Sequence, residues 1–367
     1  MKLNITLKSI LLATVLMAGF SSCKKDKMPD IVPGPVSTLG VYVLNEGYYS
    51  ATPGTNNSSI SYYDIAAKTV EKDYFKKQNS TSLGTNANDL QQYGSKLYCV
   101  IVGTTKAAKD SYLEVMSLAT GKSIKRISLS DATEGFLPRY VVFNKNKAYV
   151  SSYDGKITKI DTASLAVESR VLVGGALEQM AIVNNKLYVV NSAHFQYGTA
   201  DNASVSVVDL NTFSKSKSIP VGFNPTNISA TNTGDLFVIT KGNYADLKPT
   251  VDKISSVTDT KVASNDKISL EFLAIDGAKA YAISGTWPTY TLKQFNLGTN
   301  ELGVDFIKDN TKIGTPYGLT VNSLSQDVFF GDSDASQFFC FGADGIKKFS
   351  FDTGLMPKLA AFRYGYK

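Results

Sequence analysis

Histidine is almost absent from this sequence, which has one, His194, among 367 residues. Metal sites, Ser-His-Asp triads and Cys-His pairs that rely on histidine would all have to use this one side chain. No cysteine or glutamate lies close to it at the spacing of a ligand pair. The composition therefore argues against histidine-based catalysis, and we interpret His194 as a loop residue that stacks beside Phe195.

Cysteine is also scarce, with three residues in the chain. Cys99 and Cys340 lie within apolar strand-like segments that belong to distant parts of the repeat described below. A disulfide needs its two Cα atoms within about 7 Å. We therefore expect two buried free thiols, whereas Cys23 has a different role.

Long hydrophobic runs are missing except for one near the start, from Ile10 to Phe20, which is too short to anchor a chain as a helix. It follows Lys2 and Lys8, and it ends at Ser-Ser-Cys23, which resembles a bacterial lipobox. We interpret residues 1–22 as a lipoprotein signal peptide and lipidated Cys23 as the mature N-terminus. The alternative is an ordinary secretion signal. Residues 23–39 are rich in proline and read as a flexible tether.

A strong charge imbalance is missing as well. The net charge of +6 falls to +4 without the signal peptide, and the tether contributes one of the remaining units. The folded body is therefore close to neutral and has no basic stripe of the kind that nucleic-acid binding needs. We expect no nucleic-acid partner.

Tyrosine and phenylalanine, by contrast, are abundant at 20 and 19 residues, and they recur in one pattern. Aromatic and β-branched residues favour strands. Seven short apolar strands each centre on one aromatic, at intervals typical of a propeller blade. The seven aromatics are Tyr42, Tyr98, Tyr149, Tyr188, Phe237, Tyr281 and Phe329.

Each of these strands has a third strand and a polar fourth strand after it, and six have a further strand about ten residues before. The first copy lacks that preceding strand, but Pro357–Phe362 (PKLAAF) has its pattern at the far end of the chain. A C-terminal strand that joins the first blade closes a propeller ring. Residues 40–367 are therefore predicted to form an all-β, seven-bladed β-propeller of four-stranded blades.

Several connections between the second and third strands are long, notably 47–58, 103–111, 192–203 and 241–251. In a propeller they share one face with the crossovers between blades, and long loops on a rigid scaffold indicate a binding face. Aromatic residues on these loops are the expected anchors of such a face. We call it the loop face.

Carboxylates could support catalysis without histidine, as in glycoside hydrolysis. Five acids could lie on the loop face, and no spacing forces two of them together, so solvated loop acids are the default interpretation: Glu46, Asp89, Glu134, Asp332 and Asp334. Arg139 follows a proline at the mouth of an inner strand, where it could face the channel or pair with a local carboxylate.

The segment NKLYVVN…NASVSVVDLNT, which starts at Asn185, resembles the YncE-like seven-bladed propellers. Together with the lipobox, GVYVLNEG…NSSISYYD from Gly40 resembles the Bacteroidota propeller lipoproteins that include the BtuG-type cobalamin-binding proteins. This resemblance implies an outer-membrane lipoprotein at the cell surface that binds cobalamin or another corrinoid and passes it to a TonB-dependent transporter. A periplasm-facing orientation stays open.

We therefore expect a non-enzymatic binder without a catalytic cofactor or metal. The alternatives are a glycan- or protein-binding propeller of a nutrient-uptake system, and a propeller lyase or hydrolase. The candidate ligand-binding residues, chosen by their place on the loop face, are Asn45, Glu46, Tyr48, Tyr49, Asp89, Arg139, Asn191, Phe195, Tyr197, Tyr244, Trp287, Tyr317 and Asp332.

Overall fold

The computed structural model describes residues 34–194 and 202–366 of the chain. They form seven four-stranded antiparallel sheets, which confirms the predicted propeller. Cys23, Phe195 and Tyr197 lie outside the described residues, as do the signal peptide and residues 23–33 of the predicted tether.

The strands follow one another in the predicted order, and each blade is named by its position along the chain. Blade 1 contains β1 (Pro35–Asn45), β2 (Ser59–Asp64) and β3 (Thr69–Glu71), followed by a short helix, α1 (Tyr74–Asn79). Blade 2 contains β4 (Ala87–Tyr93), β5 (Lys96–Ile101), β6 (Tyr112–Ser117) and β7 (Ser123–Ser128). Blade 3 contains β8 (Pro138–Asn144), β9 (Lys147–Ser152), β10 (Lys156–Asp161) and β11 (Val167–Leu172). Blade 4 contains β12 (Ala176–Val183), β13 (Lys186–Ser192), β14 (Ser204–Asp209) and β15 (Ser214–Pro220).

The remaining blades repeat the same arrangement. Blade 5 contains β16 (Pro225–Ala230), β17 (Asp235–Thr240), β18 (Val251–Ser255) and β19 (Thr260–Asn265). Blade 6 contains β20 (Leu270–Asp276), β21 (Lys279–Thr286), β22 (Thr289–Asn296) and β23 (Glu301–Asp305). Blade 7 contains β24 (Pro316–Asn322), β25 (Asp327–Asp332), β26 (Gln337–Phe341) and β27 (Lys347–Asp352), and the final strand is β28 (Pro357–Tyr366).

The final strand closes the ring as predicted, because β28 pairs with β1 as the innermost strand of blade 1. The pairing runs from Asn45 opposite Pro357 to Pro35 opposite Tyr366. Strand β1 therefore begins at Pro35, before the predicted propeller boundary at residue 40. Strands β1 and β28 pair with each other in this added part as well. The sequence pattern of either strand alone does not reveal this pairing.

The hydrophobic core lies between the blades. The predicted aromatics are buried, and Tyr42, Tyr98, Tyr188, Phe237 and Phe329 are all at most 1% exposed. Each packs against residues of a neighbouring blade, so the second strands are apolar on both faces. Cys99 and Cys340 are buried free thiols, as expected.

Helix α1 was not predicted. Asp73 caps it, since its side chain accepts a hydrogen bond from the Lys76 N–H, and Phe75 is buried beneath it. The helix packs over the outer side of blade 1, where β3 has only three residues. Within residues 34–194 and 202–366, no helix has the length and hydropathy required to cross a bilayer.

Candidate functional site

The innermost strand of every blade carries one extra residue near its start. In blade 2, for example, Ala87 pairs with Ile101 and Asp89 with Val100, so Asn88 has no partner. The same register shift occurs in all seven inner strands. Such a β-bulge re-aims a side chain, and bulges are common beside functional sites. The residues at the seven bulges, here called the bulge ring, are Lys358, Asn88, Arg139, Glu178, Thr226, Glu271 and Tyr317.

The bulge ring surrounds the mouth of the central channel on the loop face, and five of its members are linked across blades, either directly or through Glu46. The Lys358 Nζ donates hydrogen bonds to Asn88 Oδ1 and to Glu46 Oε2, both at 2.8 Å. The Tyr317 hydroxyl donates to the same Glu46 oxygen at 3.0 Å. Asn88 Nδ2 in turn donates to the Arg139 carbonyl at 2.6 Å. Blades 7, 1, 2 and 3 are therefore joined through polar side chains at the mouth.

A second carboxylate continues this network. Glu178 Oε2 accepts a hydrogen bond from Arg139 Nε at 2.9 Å, and Glu178 Oε1 accepts one from the Tyr153 hydroxyl at 2.6 Å. The Arg139 guanidinium also lies over the Tyr153 ring, and the His194 ring lies 4.6 Å from that ring. Glu46 and Glu178 thus have equivalent surroundings, because each bonds to one cation and one tyrosine hydroxyl.

Burial and these ion pairs shift the pKa values of several side chains at the mouth. Burial works against the Arg139 charge, but the facing Glu178 carboxylate holds the Arg139 pKa well above its ordinary value. Burial raises the pKa values of Tyr153 and Tyr317, so both hydroxyls stay protonated donors. Burial also lowers the pKa of His194, so its imidazole is neutral at pH 7. The mouth therefore presents fixed donors and paired charges.

A cavity of about 310 Å³ opens beside this network. Glu46, Arg139, Tyr153 and His194 form its polar and aromatic wall, and Tyr49, which is 77% exposed, stands at its rim. Leu137 and Val102 supply an apolar side. Aromatic planes beside a few convergent polar groups are the usual make-up of a small-molecule site. Three predicted residues line this cavity, Glu46, Tyr49 and Arg139, and a fourth, Tyr317, bonds to Glu46 in the adjacent network.

Three other predicted residues lie at the ends of second strands and face the blade interior. Asn45 Nδ2 donates to the hydroxyls of Ser59 and Ser61, and Asn191 makes the equivalent bonds in blade 4. Asp332 Oδ2 accepts from the Gly314 N–H at 3.1 Å. All three are at most 5% exposed. The Asn45 and Asn191 bonds join the second and third strands of one blade, and the Asp332 bond joins blade 7 to its incoming crossover. None of the three residues lines the cavity.

The crossovers approach these three side chains closely. A Cβ on Gly174 would stand 1.7 Å from Asn191 Oδ1, and one on Gly314 would stand 2.4 Å from Asp332 Oδ2. Gly354 has the same relation to Asn45. The repeated Asn that the sequence shows in blades 1 and 4 therefore belongs to a packing device of the fold.

Asp89 is buried between two inner strands. Its Oδ2 accepts a hydrogen bond from the Val141 N–H of blade 3 at 2.9 Å, and its Oδ1 accepts from Gln91 Nε2 at 2.8 Å. Burial raises the Asp89 pKa to about 6. The carboxylate connects blades 2 and 3 just below the mouth.

The remaining described candidates are exposed aromatics spread around the loop face. Tyr48, Tyr244 and Trp287 are 60%, 87% and 73% exposed and belong to blades 1, 5 and 6. None of the three lines the cavity. Phe195 and Tyr197 fall outside the described residues.

Sequence reasoning missed Lys358, Asn88, Glu178 and Tyr153, and it placed His194 beside Phe195 without linking it to the mouth. The first three occupy bulge positions, and several bulge residues follow a proline, as in Pro138-Arg139, Pro316-Tyr317 and Pro357-Lys358. Aligning the starts of the seven inner strands would have revealed them. Among the described residues, no group of three or more His, Cys, Asp or Glu side chains could hold a metal ion.

Comparison with known families gives one clear match. The profile of the domain of unknown function DUF5074 matches residues 39–301, from β1 into β23. The chain belongs to the DUF5074 family. No curated protein matches it significantly.

Solved structures similar to this DUF5074 chain share its fold at low sequence identity. A protein described as a candidate 6-phosphogluconolactonase from Bacteroides uniformis is 10% identical with a TM-score of 0.63, covering 89% of this chain and 100% of its own. Its counterpart from Bacteroides fragilis is 12% identical with a TM-score of 0.61, covering 90% and 100%. A protein from Lactobacillus plantarum is 13% identical with a TM-score of 0.61, covering 89% and 100%. These likenesses establish the propeller fold of the DUF5074 chain.

Proposed function

We propose that this chain is a lipid-anchored binding protein of the outer membrane, which holds a ligand at the channel mouth and passes it to a TonB-dependent transporter. The observation that carries the proposal is the bulge ring, which directs one side chain per blade to the mouth, beside a cavity of about 310 Å³. The lipobox at Cys23 supports the anchor, and the resemblance to BtuG-type lipoproteins supports the transporter.

The chemistry of the mouth favours a neutral polar ligand. Glu46 is paired with Lys358, and Glu178 with Arg139, so the site carries no net charge to offer an ion. Hydroxyl, amide and guanidinium groups are left to bond to carbonyls and amides. A corrinoid is large and flat with amide edges, so one edge would enter the cavity and its body would lie against exposed rings such as Tyr49.

Calorimetric titration with cyanocobalamin at micromolar protein tests this proposal. We expect binding heat, and we expect Tyr49→Ala and Arg139→Gln to weaken binding at least tenfold. Tyr366→Ala is the matched control, because this half-exposed tyrosine lies at the opposite face, at the end of β28. The corrinoid proposal fails if wild-type protein gives no heat. Binding of an oligosaccharide in its place, lost in the same variants, would support a glycan binder.

One observation favours a hydrolase as a second candidate. Glu46 and Glu178 belong to the polar side chains of the same mouth, each bonded to a tyrosine hydroxyl, and a propeller hydrolase would need two carboxylates at one mouth. Hydrolysis of a lactone or glycoside by wild-type protein, abolished in Glu46→Gln, would establish this activity. Absence of turnover together with ligand binding would exclude it.

A further inference from the structure

Asn86 lies in the crossover from blade 1 to blade 2, and its side-chain amide joins two loops. Its Oδ1 accepts a hydrogen bond from the Ser50 N–H at 3.1 Å, and its Nδ2 donates to the Ser50 carbonyl at 2.9 Å. The same Nδ2 donates to the Gly103 carbonyl at 2.8 Å, so both of its N–H groups are used. Ser50 belongs to loop 47–58 of blade 1, and Gly103 belongs to loop 103–111 of blade 2.

The backbone conformation of Asn86 does not explain why asparagine stands there. Its φ is 57°, in the left-handed region, and it lies two residues before the bulge residue Asn88. Asparagine tolerates this region well. Leu137 and Met356, however, occupy the equivalent positions of blades 3 and 1 with φ of 52° and 57°. The side-chain hydrogen bonds are therefore what distinguishes Asn86.

A second asparagine at this position forms a similar contact. Asn224 lies at the equivalent place in blade 5, also with a φ of 57°. Its Oδ1 accepts a hydrogen bond from the Ala193 N–H at 3.0 Å, and Ala193 directly precedes His194. Asn86 is likewise bonded to the residue next to Tyr49. In both places the bonded backbone adjoins a residue that lines the cavity at the channel mouth.

The blade 1 loop is attached to blade 2 at two points. The Ser50 and Thr55 hydroxyls share a hydrogen bond of 2.9 Å, which ties the two limbs of the loop together. The Thr85 hydroxyl donates to the Thr55 carbonyl and holds the later limb. Asn86 holds the earlier limb, which carries Tyr49.

The position of the Tyr49 ring depends on this attachment. The ring is largely exposed, so its own packing does not fix its place. Ser50 directly follows Tyr49, and both of its backbone polar groups are bonded to Asn86. On the other side, Gly103 directly precedes Thr104, which also lines the cavity. Asn86 is itself buried in the cavity wall, between these two lining residues.

We propose that Asn86 is a positioning residue, which couples loops 47–58 and 103–111 into one preformed wall of the cavity and thereby fixes Tyr49 at the rim. A binding group that is held in place before the ligand arrives avoids the entropy cost of being ordered on binding. The proposal rests on the proposed function, because it takes the channel mouth as the binding site, whereas the coupling of the loops can be tested without a ligand.

Hydrogen exchange of the full chain, followed by mass spectrometry, tests the coupling. Asn86→Gly removes the amide and suits the positive φ, whereas Asn86→Asp keeps the acceptor for the Ser50 N–H and loses both donated bonds. We expect either change to speed exchange in both loops by about tenfold. Exchange in β13 of blade 4 should stay unchanged, which would show an intact fold. Asn185→Gly is the matched control, because Asn185 also combines a positive φ with a bonded side chain but lies in the β12–β13 turn, at the opposite face.

Calorimetric titration with cyanocobalamin tests whether Asn86 acts through Tyr49. Asn86→Gly should weaken binding by about fivefold in the wild-type chain and should have no further effect in a Tyr49→Ala background. A general loss of stability would weaken binding in both backgrounds. If cyanocobalamin does not bind to the wild-type chain, the corrinoid proposal fails, and the exchange result alone decides whether Asn86 couples the loops.

Three results would overturn the proposal. The first is unchanged exchange of both loops in Asn86→Gly and Asn86→Asp. The second is faster exchange in one loop alone, because the loops would then not be coupled through Asn86. The third is cyanocobalamin binding that Asn86→Gly weakens by the same factor with Tyr49 present and with Tyr49→Ala.

Discussion

The pair of Arg139 and Glu178 should stabilise the mouth far more than an exposed pair does. Their side chains are 17% and 9% exposed, whereas those of Lys72 and Asp352, which also form an ion pair, are 56% and 57% exposed. Breaking a fully buried pair costs about 3–5 kcal/mol, because it leaves one charge without a partner. Arg139 borders a cavity that water can enter, so we expect about 2 kcal/mol for Glu178→Gln.

A double-mutant cycle measures this coupling. Glu178→Gln and Arg139→Gln should each cost about 2 kcal/mol, and the double variant should cost little more than either, which leaves a coupling energy of about 2 kcal/mol. For a folded body of about 330 residues, a loss of 2 kcal/mol lowers Tm by about 3 °C. Urea denaturation and calorimetry give the two values, with Asp352→Asn as the exposed control at under about 0.5 kcal/mol. Additive effects, or a Glu178→Gln cost no larger than the control, would refute the reasoning.

Three further predictions concern the scaffold. Because the folded-state pKa of Asp89 is raised to about 6, the folded chain binds more protons than the unfolded chain between about pH 4 and 6, and stability falls as pH rises through this window. Asp89→Asn should remove this pH dependence, which amounts to about 3 kcal/mol of unfolding free energy for a shift of two pKa units. Urea denaturation at pH 4 and at pH 7 measures it. If the pH dependence is unchanged in Asp89→Asn, another group causes it. Gly174→Ala should lower the free energy of unfolding by about 1–3 kcal/mol, because its Cβ would clash with Asn191 Oδ1. The loss should be smaller in an Asn191→Ala background, where this oxygen is absent. Equal losses in the two backgrounds would contradict the clash. Cys99 and Cys340 should react with a thiol reagent only after unfolding, and labelling of the native chain would show that blades open.

Most of the fold could be predicted because its signal repeats. A second strand buried on both faces, with one aromatic such as Tyr98 or Tyr188, recurs in each blade, and seven copies reinforce one another. Ring closure followed from the missing inner strand of blade 1. Helix α1 and the extension of β1 to Pro35 could not be predicted, since each depends on contacts unique to blade 1.

The site was predicted only in part, because propeller geometry brings together residues that lie far apart in sequence. Glu46 and Lys358 are 312 positions apart, yet they share a hydrogen bond across the closure of the ring. The sequence also does not show which way a polar side chain at a strand terminus points, so Asn45 and Arg139 were equally good candidates. The bulge turns Arg139 into the mouth, whereas Asn45, just before a loop, turns into its own blade.

A crystal structure of the chain grown with cyanocobalamin tests most directly whether the channel mouth is the binding site. We predict the ligand over the cavity bounded by Glu46 and Arg139, with the Tyr49 ring against it. Ligand bound only at the opposite face, where Val257 and Tyr366 lie, or an empty mouth at saturating ligand, would contradict the assignment.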